Sequence, residues 1–188
     1  MRVVPKIKEQ PTSEGTAGTV QYFYDSIIIE TRQQNLTILD PRLAEFIRPT
    51  DYFFVHDLTS RLKEMVQSLE IRNGTLTAQI LHTSATLCVN ELDEPMLLMD
   101  LTKKLRDLAP KDADYFHNGP MREVNLCADD LHCDRNADAH VRSSLFGYPS
   151  VSLIIRNGEL VVGQWQKVAL LEFDGPRRRE VLIQIAGA

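Results

Sequence analysis

A chain of 188 residues, 43% of them hydrophobic, carries enough apolar material for one sizeable core, and a domain of this length hides about 70% of its unfolded surface. Lysine and arginine number 21 against 26 aspartates and glutamates, and the resulting net charge of -5 disfavours non-specific attraction to nucleic acid or to an anionic membrane face. No run approaches the roughly 20 apolar residues that cross a bilayer. The start of the chain, with Pro5, Lys6, Lys8, Glu9 and Gln10, lacks the apolar stretch of a signal peptide, so a cytoplasmic protein without membrane or nucleic-acid partners is expected.

Residues 1–19 mix Pro, Thr, Ser, Glu and Gly without an apolar period and read as a flexible N-terminal arm; residues 20–188 read as a single domain. The runs Val20 to Glu30 and Leu36 to Leu39, rich in Tyr, Phe and Ile, predict paired strands, and Phe53-Phe54-Val55 a short one. From Leu58 the positions Leu58, Leu62, Met65, Val66 and Leu69 fall on one helical face, with Asp57 or Thr59 to cap the start and Asn73-Gly74 to stop it. A strand over Thr75 to Leu81 leads into His82-Thr83-Ser84, after which Ala85, Leu87 and Val89 alternate as a further strand does. A second helix begins near Asp93, with Pro95 in its first turn, a stripe of Leu97, Leu98, Leu101, Leu105 and Leu108, and Pro110 at its end.

Residues 111–136 are polar, acidic and irregular, and a long loop inside a compact domain is often functional. A short helix runs from Asn136 or Ala137 to Leu145, with Asn136 as its N-cap and Gly147 at its end. Asn157-Gly158 between the apolar runs Val151 to Ile155 and Leu160 to Val162 signals a hairpin, because both residues accept positive φ. Val168 to Phe173, the turn Asp174-Gly175-Pro176 and Val181 to Ile185 then read as completing an antiparallel meander. Helices among hairpin-joined strands predict an α+β fold with a mostly antiparallel sheet and a few packed helices.

Among the residues able to carry chemistry, His82, His117 and His140 each lie at an element boundary beside Thr, Asn, Asp or Ser. A neutral imidazole ligates zinc and serves as acid or base near pH 7, yet a histidine taken singly is more often a surface or hydrogen-bonded structural residue than a site residue, and the structural reading is the one given to His56. Three cysteines cannot all pair within one chain, so reduced thiols are expected, with Cys88 a small buried hydrophobe in its apolar run. Cys127, His132 and Cys133 offer a second ligand set for zinc or belong to a solvent-facing loop. Trp165 suits a rim or a core, and Arg177, Arg178 and Arg179 suit a phosphate or a solvated strand end.

His82-Thr83-Ser84-Ala85 with Asn90-Glu91, a leucine-rich helix, His117-Asn118, Asn136-Ala137-Asp138-Ala139-His140, the Asn157-Gly158 hairpin, Gly163-x-Trp165-Gln166 and Glu172-Phe173-Asp174-Gly175-Pro176-Arg177 occur in that order. Together they make the chain resemble the YjbQ family over roughly residues 20 to 187. The resemblance implies a compact α+β homotrimer with a weak thiamine-phosphate synthase activity. It implies a polar site in which His82, His117 and His140, with Glu91, are catalytic, and the three histidines also hold a divalent metal, zinc or magnesium. Asn90, Asn136, Gln166 and Arg177 would contact substrate, a small phosphorylated metabolite. Two departures bear on substrate more than on fold: the loop 119–135, with Cys127, His132 and Cys133, is longer than usual, and the approach from Asp40 to Asp51 is enlarged.

Three functions follow from this reading. The first is a transferase joining thiazole phosphate to pyrimidine pyrophosphate, a metal neutralising the leaving pyrophosphate and Glu91, Asp134 and Asp138 offering oxygens to magnesium. The second is a metal-dependent hydrolase or lyase on a small phosphorylated compound, with Glu91 or Asp138 as base. The third is a non-catalytic trimeric module that binds a metal or a metabolite.

Overall fold

The computed structural model describes residues 19–31, 54–119 and 135–188. It contains strands β1 (Gln21–Glu30) and β2 (Phe54–Asp57), helix α1 (Thr59–Gln67), strands β3 (Asn73–Ile80) and β4 (Ala85–Asn90), and helix α2 (Pro95–Leu108). A 3-10 turn over Phe116–Asn118 follows, then helix α3 (Ala137–Phe146) and strands β5 (Ser150–Arg156), β6 (Glu159–Leu160), β7 (Lys167–Glu172) and β8 (Arg178–Gly187). The expected strand over Leu36 to Leu39, most of the irregular loop and both Cys127 and Cys133 lie outside the described residues.

The strands form two antiparallel sheets, one of five strands in the order β1-β8-β3-β5-β6 and one of three in the order β2-β7-β4. The fold is α+β with mostly antiparallel pairing, as the hairpin signals required. One core lies between the sheets, where Leu76, Ala78, Ile80, Val181, Ile183 and Ile185 meet Leu87, Val168 and Leu170, with Leu62 and Val66 of α1 closing the same cluster. The opposite face of the three-stranded sheet carries a second cluster, Ala169, Leu171 and Phe173 against Leu98 and Leu105 of α2 and Ala139 of α3. Strand β7 is therefore buried on both faces, which is why Val168 to Leu171 is continuously apolar rather than alternating.

Helix α1 starts where the Asp57 carboxylate accepts the Thr59 N–H at 2.7 Å, while the Thr59 hydroxyl accepts the Val168 N–H at 2.9 Å and ties the helix to β7. Helix α2 starts at Glu94, whose carboxylate takes the N–H groups of Met96 and Leu97 at 2.9 and 2.6 Å ahead of Pro95's turn. The Asn157-Gly158 turn has φ of 55° and 81°, as a two-residue hairpin of this type needs.

Four expectations are corrected. Asn73-Gly74 does not stop α1, which ends at Gln67; both residues already belong to β3, and Gly74 is glycine because a Cβ there would stand 2.1 Å from the Ala186 carbonyl oxygen. Leu108 is not part of the α2 stripe, being 61% exposed on the last turn. Asn136 precedes α3 but makes no capping bond with its side chain; the Asn118 Oδ1 accepts the Ala137 N–H instead, at 3.2 Å. The Asp174-Gly175-Pro176 turn, which contains a cis Gly175-Pro176 bond, closes no hairpin: it carries the chain from β7 in one sheet to β8 in the other.

Replacing Gly74 by Ala should destabilise the protein by about 1–3 kcal/mol, since backbone rather than a yielding side chain opposes the new methyl. At Gly119 the nearest atoms to an added Cβ are 3.5 Å away, and Ala there should change urea stability by less than about 0.5 kcal/mol. Equal midpoints for the two variants would show that β3 and β8 are not packed this closely.

Candidate functional site

The connection His82-Thr83-Ser84 leaves β3 and enters β4 beside the end of β7, because Ala85 pairs with Glu172. At this corner Glu172 and Arg179, both buried, form a two-pronged ion pair: Arg179 Nε faces Glu172 Oε2, and Nη2 donates to Oε1 at 2.8 Å. The pair recruits its surroundings. Arg179 Nη2 also donates to the Ser84 hydroxyl at 2.9 Å, the Asp174 N–H donates to Glu172 Oε1 at 2.8 Å, and the Thr31 hydroxyl, which donates to the Arg177 carbonyl at 2.9 Å, stands 3.3 Å from Glu172 Oε2. Phe173 N–H further donates to the Ser84 carbonyl at 3.1 Å.

Forward of this pair, Asp174 organises a second shell of contacts. Its Oδ2 accepts from Arg177 Nε and Nη2 at 3.0 and 2.9 Å and from Asn136 Nδ2 at 2.7 Å. Helix α3 is thereby hung on the β7–β8 turn. The same helix is braced behind by the buried Asp138–Arg142 pair at 3.6 Å, with Arg142 Nε and Nη2 both donating to Ala109 O, a carbonyl at the end of α2, at 3.0 and 2.8 Å. Tyr115 OH donates to Pro110 O at 2.8 Å, and burial, then the Asp138 charge, raises that phenol's pKa. With Asn118 bonded to Ala137, these contacts seat the 3-10 turn, and His117 with it, against the first turn of α3.

Two of the three histidines consequently meet here, and the third, His82, precedes the residue whose carbonyl receives His140. The rings of His117 and His140 meet edge to face with centroids 5.3 Å apart. His140 Nδ1 lies 3.3 Å from the carbonyl oxygen of Thr83, the residue following His82. A carbonyl only accepts, so Nδ1 carries the hydrogen and Nε2 is left open in the neutral ring. Among the described residues, His117 Nε2 is buried without a hydrogen-bond partner, and so is Asn136 Oδ1. Partial burial, followed by the Arg179 charge, lowers the His82 pKa; Glu172 and Glu180 oppose the shift and Arg177 adds to it.

Other proposed site residues lie elsewhere. Asn90 pairs with Lys167 at the far end of the three-stranded sheet, five residues along β4 from Ala85, a span of about 17 Å at ~3.4 Å per residue. Glu91 follows it, its N–H bonded to Asn90 Oδ1 at 2.9 Å, and Gln166 closes its own turn by accepting the Gly163 N–H at 2.7 Å. Within one chain the structure does not bring Asn90, Glu91 and Gln166 to the histidines. Trp165 stands on a rim, 64% exposed. The Cys88 thiol is pushed up to about 12 by burial, so it is a packing residue without nucleophilic character. His56 stacks on Phe54 at 6.0 Å, and burial lowers its pKa more than Asp57 raises it.

Sequence reasoning named Asn118, Glu172 and Asp174 only within motifs and offered Arg179 to a phosphate or a solvated strand end, and it gave none of the four its place in this network. The usable signal was Glu172 itself, a carboxylate closing a wholly apolar strand, which burial obliges to find a cation. As for a metal, His117 and His140 provide two adjacent imidazoles, but among the described residues no group of three His, Cys, Asp or Glu side chains comes together to hold an ion. Cys127, His132 and Cys133 lie outside the described residues.

Two stacked antiparallel sheets flanked by helices, with imidazoles gathered where the chain crosses between sheets, define a small α+β protein with a polar corner. The family model for UPF0047 protein YjbQ-like matches residues 46–188, and the chain belongs to this family. A UPF0047 protein of Methanothermobacter thermautotrophicus is 32% identical over 161 residues, covering 86% of this chain and 96% of the relative. YugU of Bacillus subtilis is 29% identical over 131 residues, covering 70% and 88%. Among solved structures, a YbjQ-like protein of unknown function from Sulfolobus solfataricus superposes with a TM-score of 0.68 at 25% identity, covering 90% of this chain and 99% of the other. A YjbQ/UPF0047 family protein from Clostridium acetobutylicum does so with 0.62 at 27%, covering 86% and 98%. No described helix is long and apolar enough to cross a membrane.

Glu172→Gln should cost about 3–5 kcal/mol in urea unfolding, because Arg179 would keep its charge in a buried site without a counter-charge. Converting both Glu172 and Arg179 to Met should cost less than the two single losses added together, and strict additivity would disprove the coupling. The lowered pKa values of His56 and His82 mean that the folded chain binds fewer protons there than the unfolded chain does. Their contribution to stability is therefore lost as pH falls below the ordinary histidine value of 6.5. Urea midpoints measured from about pH 7.5 to about pH 5.5 should decline less steeply after His56→Gln with His82→Gln, and an unchanged slope would refute the assignment.

Proposed function

We propose that the protein is an enzyme acting on a small phosphorylated metabolite at the corner built by His82, His117 and His140, and that its reaction is condensation of thiazole phosphate with pyrimidine pyrophosphate. The observation that carries the reading is the imidazole pair: His140 is held through Nδ1 with Nε2 open, and His117 Nε2 is buried beside it without a partner. A buried polar atom left unsatisfied costs about 1–3 kcal/mol, so such atoms in a packed site are reserved for a ligand or water. Arg177, aimed by Asp174 and still 45% exposed, offers its charge to phosphate oxygens.

In this reaction the thiazole nitrogen forms a bond to the pyrimidine methylene carbon, and the carbon–oxygen bond to pyrophosphate breaks with its electron pair leaving on oxygen. Arg177 offsets the charge that develops, and an imidazole N–H donates to the leaving oxygen. Were zinc bound, His117 and His140 would hold it and it would supply positive charge against the leaving pyrophosphate; magnesium, which takes oxygen ligands, is not suited to two imidazoles. A metal-dependent hydrolase or lyase is the second reading, favoured by the carbonyl behind His140 Nδ1, an arrangement common for metal-bound histidine. It lacks the base expected of Glu91, which stands at the other end of β4.

The homotrimer belongs to the same proposal. Tyr22, Tyr24, Ile28, Ile154 and Leu182 are exposed on the outer face of the five-stranded sheet, interleaved with Ser26, Gln184, Thr75 and Thr77, and this mixed face is the surface proposed for association of copies.

Purified protein incubated with thiazole phosphate and pyrimidine pyrophosphate, with and without magnesium or zinc, should yield thiamine phosphate detectable by chromatography. His117→Ala and His140→Ala should each lower the rate by about 100-fold or more, whereas Arg177→Ala should act mainly by raising KM. Phosphate release without condensation product would favour the hydrolase, and no turnover of either kind would reject both enzymatic readings.

A further inference from the structure

We infer that Asn136 Oδ1, together with His117 Nε2, recognises the N–H edge of an amino-substituted ring in the ligand; the inference rests on the proposed small-metabolite site and names the part of the ligand that site reads. The orientation of the Asn136 amide is not free. Its Nδ2 donates at 2.7 Å to Asp174 Oδ2, and a flipped amide would set oxygen against carboxylate. Asp174 in turn cannot swing away, since Arg177 holds the same oxygen through Nε and Nη2 and the Asp174 N–H is bonded to the buried Glu172. The carbonyl oxygen of Asn136 is thus forced to face the other way, where it is buried and without a donor.

His117 Nε2 is the second unpartnered atom, and both residues lie against the first turn of α3: Asn136 O accepts the His140 N–H at 3.2 Å, and the His117 ring packs on His140. The Thr86 hydroxyl is also unsatisfied, but it is covered by Gly147, where even an added Cβ would come within 2.2 Å of it. A fixed amide oxygen can only accept, so its ligand partner must bring a hydrogen. A neutral imidazole nitrogen can accept or donate, so the two atoms suit a ring carrying an exocyclic amine next to a ring nitrogen. A cation is the poorer match for this pair of atoms, an amide oxygen and one imidazole nitrogen, and a zinc ion on His117 would compete with the ring for Nε2. A site built around such a bond rejects a ligand that lacks the donor, since the acceptor is then buried empty.

The experiment compares binding of an aminopyrimidine phosphate with its des-amino analogue by calorimetry, using the full chain without the second substrate. The wild type should prefer the amine by about 10-fold or more. Asn136→Leu, checked for folding by its thermal transition, should bind both equally and weakly. Equal affinity of the wild-type protein for the two compounds, or binding of neither, would overturn the inference, and the first comparison needs no variant to fold. Preference for the amine with no condensation product would uphold the inference while rejecting the proposed reaction. Product formation with equal affinity for both analogues would do the reverse.

Discussion

The corner of the molecule depends on one buried ion pair. Burying a carboxylate and a guanidinium costs several kcal/mol per ion, and the cost is offset only where the pairing is close and the remaining hydrogen-bonding capacity is filled. Glu172 and Arg179 meet both conditions, with Ser84, Asp174 and Thr31 completing the set. These partners sit at the end of β1, the entry to β4, the end of β7 and the start of β8. Four strand ends from two different sheets are therefore pinned by one electrostatic contact. Apolar packing holds the sheets face to face without direction; the ion pair decides how their ends meet.

The candidate site is built outward from that contact by a series of directional bonds. Glu172 holds the Asp174 backbone, Asp174 holds Arg177 and Asn136, and Asn136 stands at the start of the helix that carries His140. On the other side Ser84 fixes the turn whose Thr83 carbonyl receives His140. Such an arrangement aims its polar groups before any ligand arrives, so little reorganisation is needed on binding. Against this background, and apart from the Thr86 hydroxyl beside Gly147, the open atoms on His117 and Asn136 are the unsatisfied buried side-chain atoms among the described residues. Local departures from otherwise consistent packing are where function is expected.

Helix α3 shows the same economy of means. Its buried residues include Asp138, Arg142 and Ser143 beside Ala137 and Ala139, so only part of its buried face meets the apolar cluster. It is held by polar contacts to the end of α2, to Asp174 and to the β3–β4 turn. A helix held this way is positioned by hydrogen-bond geometry, which is sharper than hydrophobic contact, and it carries one of the two paired imidazoles.

The amino-acid sequence by itself determined the local elements and the cast of residues. Leu62 with Val66 and Leu98 with Leu105 marked helical faces, Asn157-Gly158 marked the hairpin, and the ordered motifs singled out His82, His117 and His140, of which His117 and His140 are in ring contact. These signals are legible because period, turn chemistry and φ preference act over a few neighbouring residues. Arg177, Arg178 and Arg179 show where legibility stops: one grips Asp174, one faces Glu30 at the surface at 3.7 Å, and one is buried against Glu172. Asp174-Gly175-Pro176 has the composition of a hairpin turn and is instead a crossing between sheets, and Asn90, Glu91 and Gln166 share motifs with the histidines but stand at the opposite end of β4 and β7. Which strands share a sheet, and which polar side chains meet at its corner, are settled by burial and charge pairing between residues far apart in the chain. Only the tertiary structure brings those residues together.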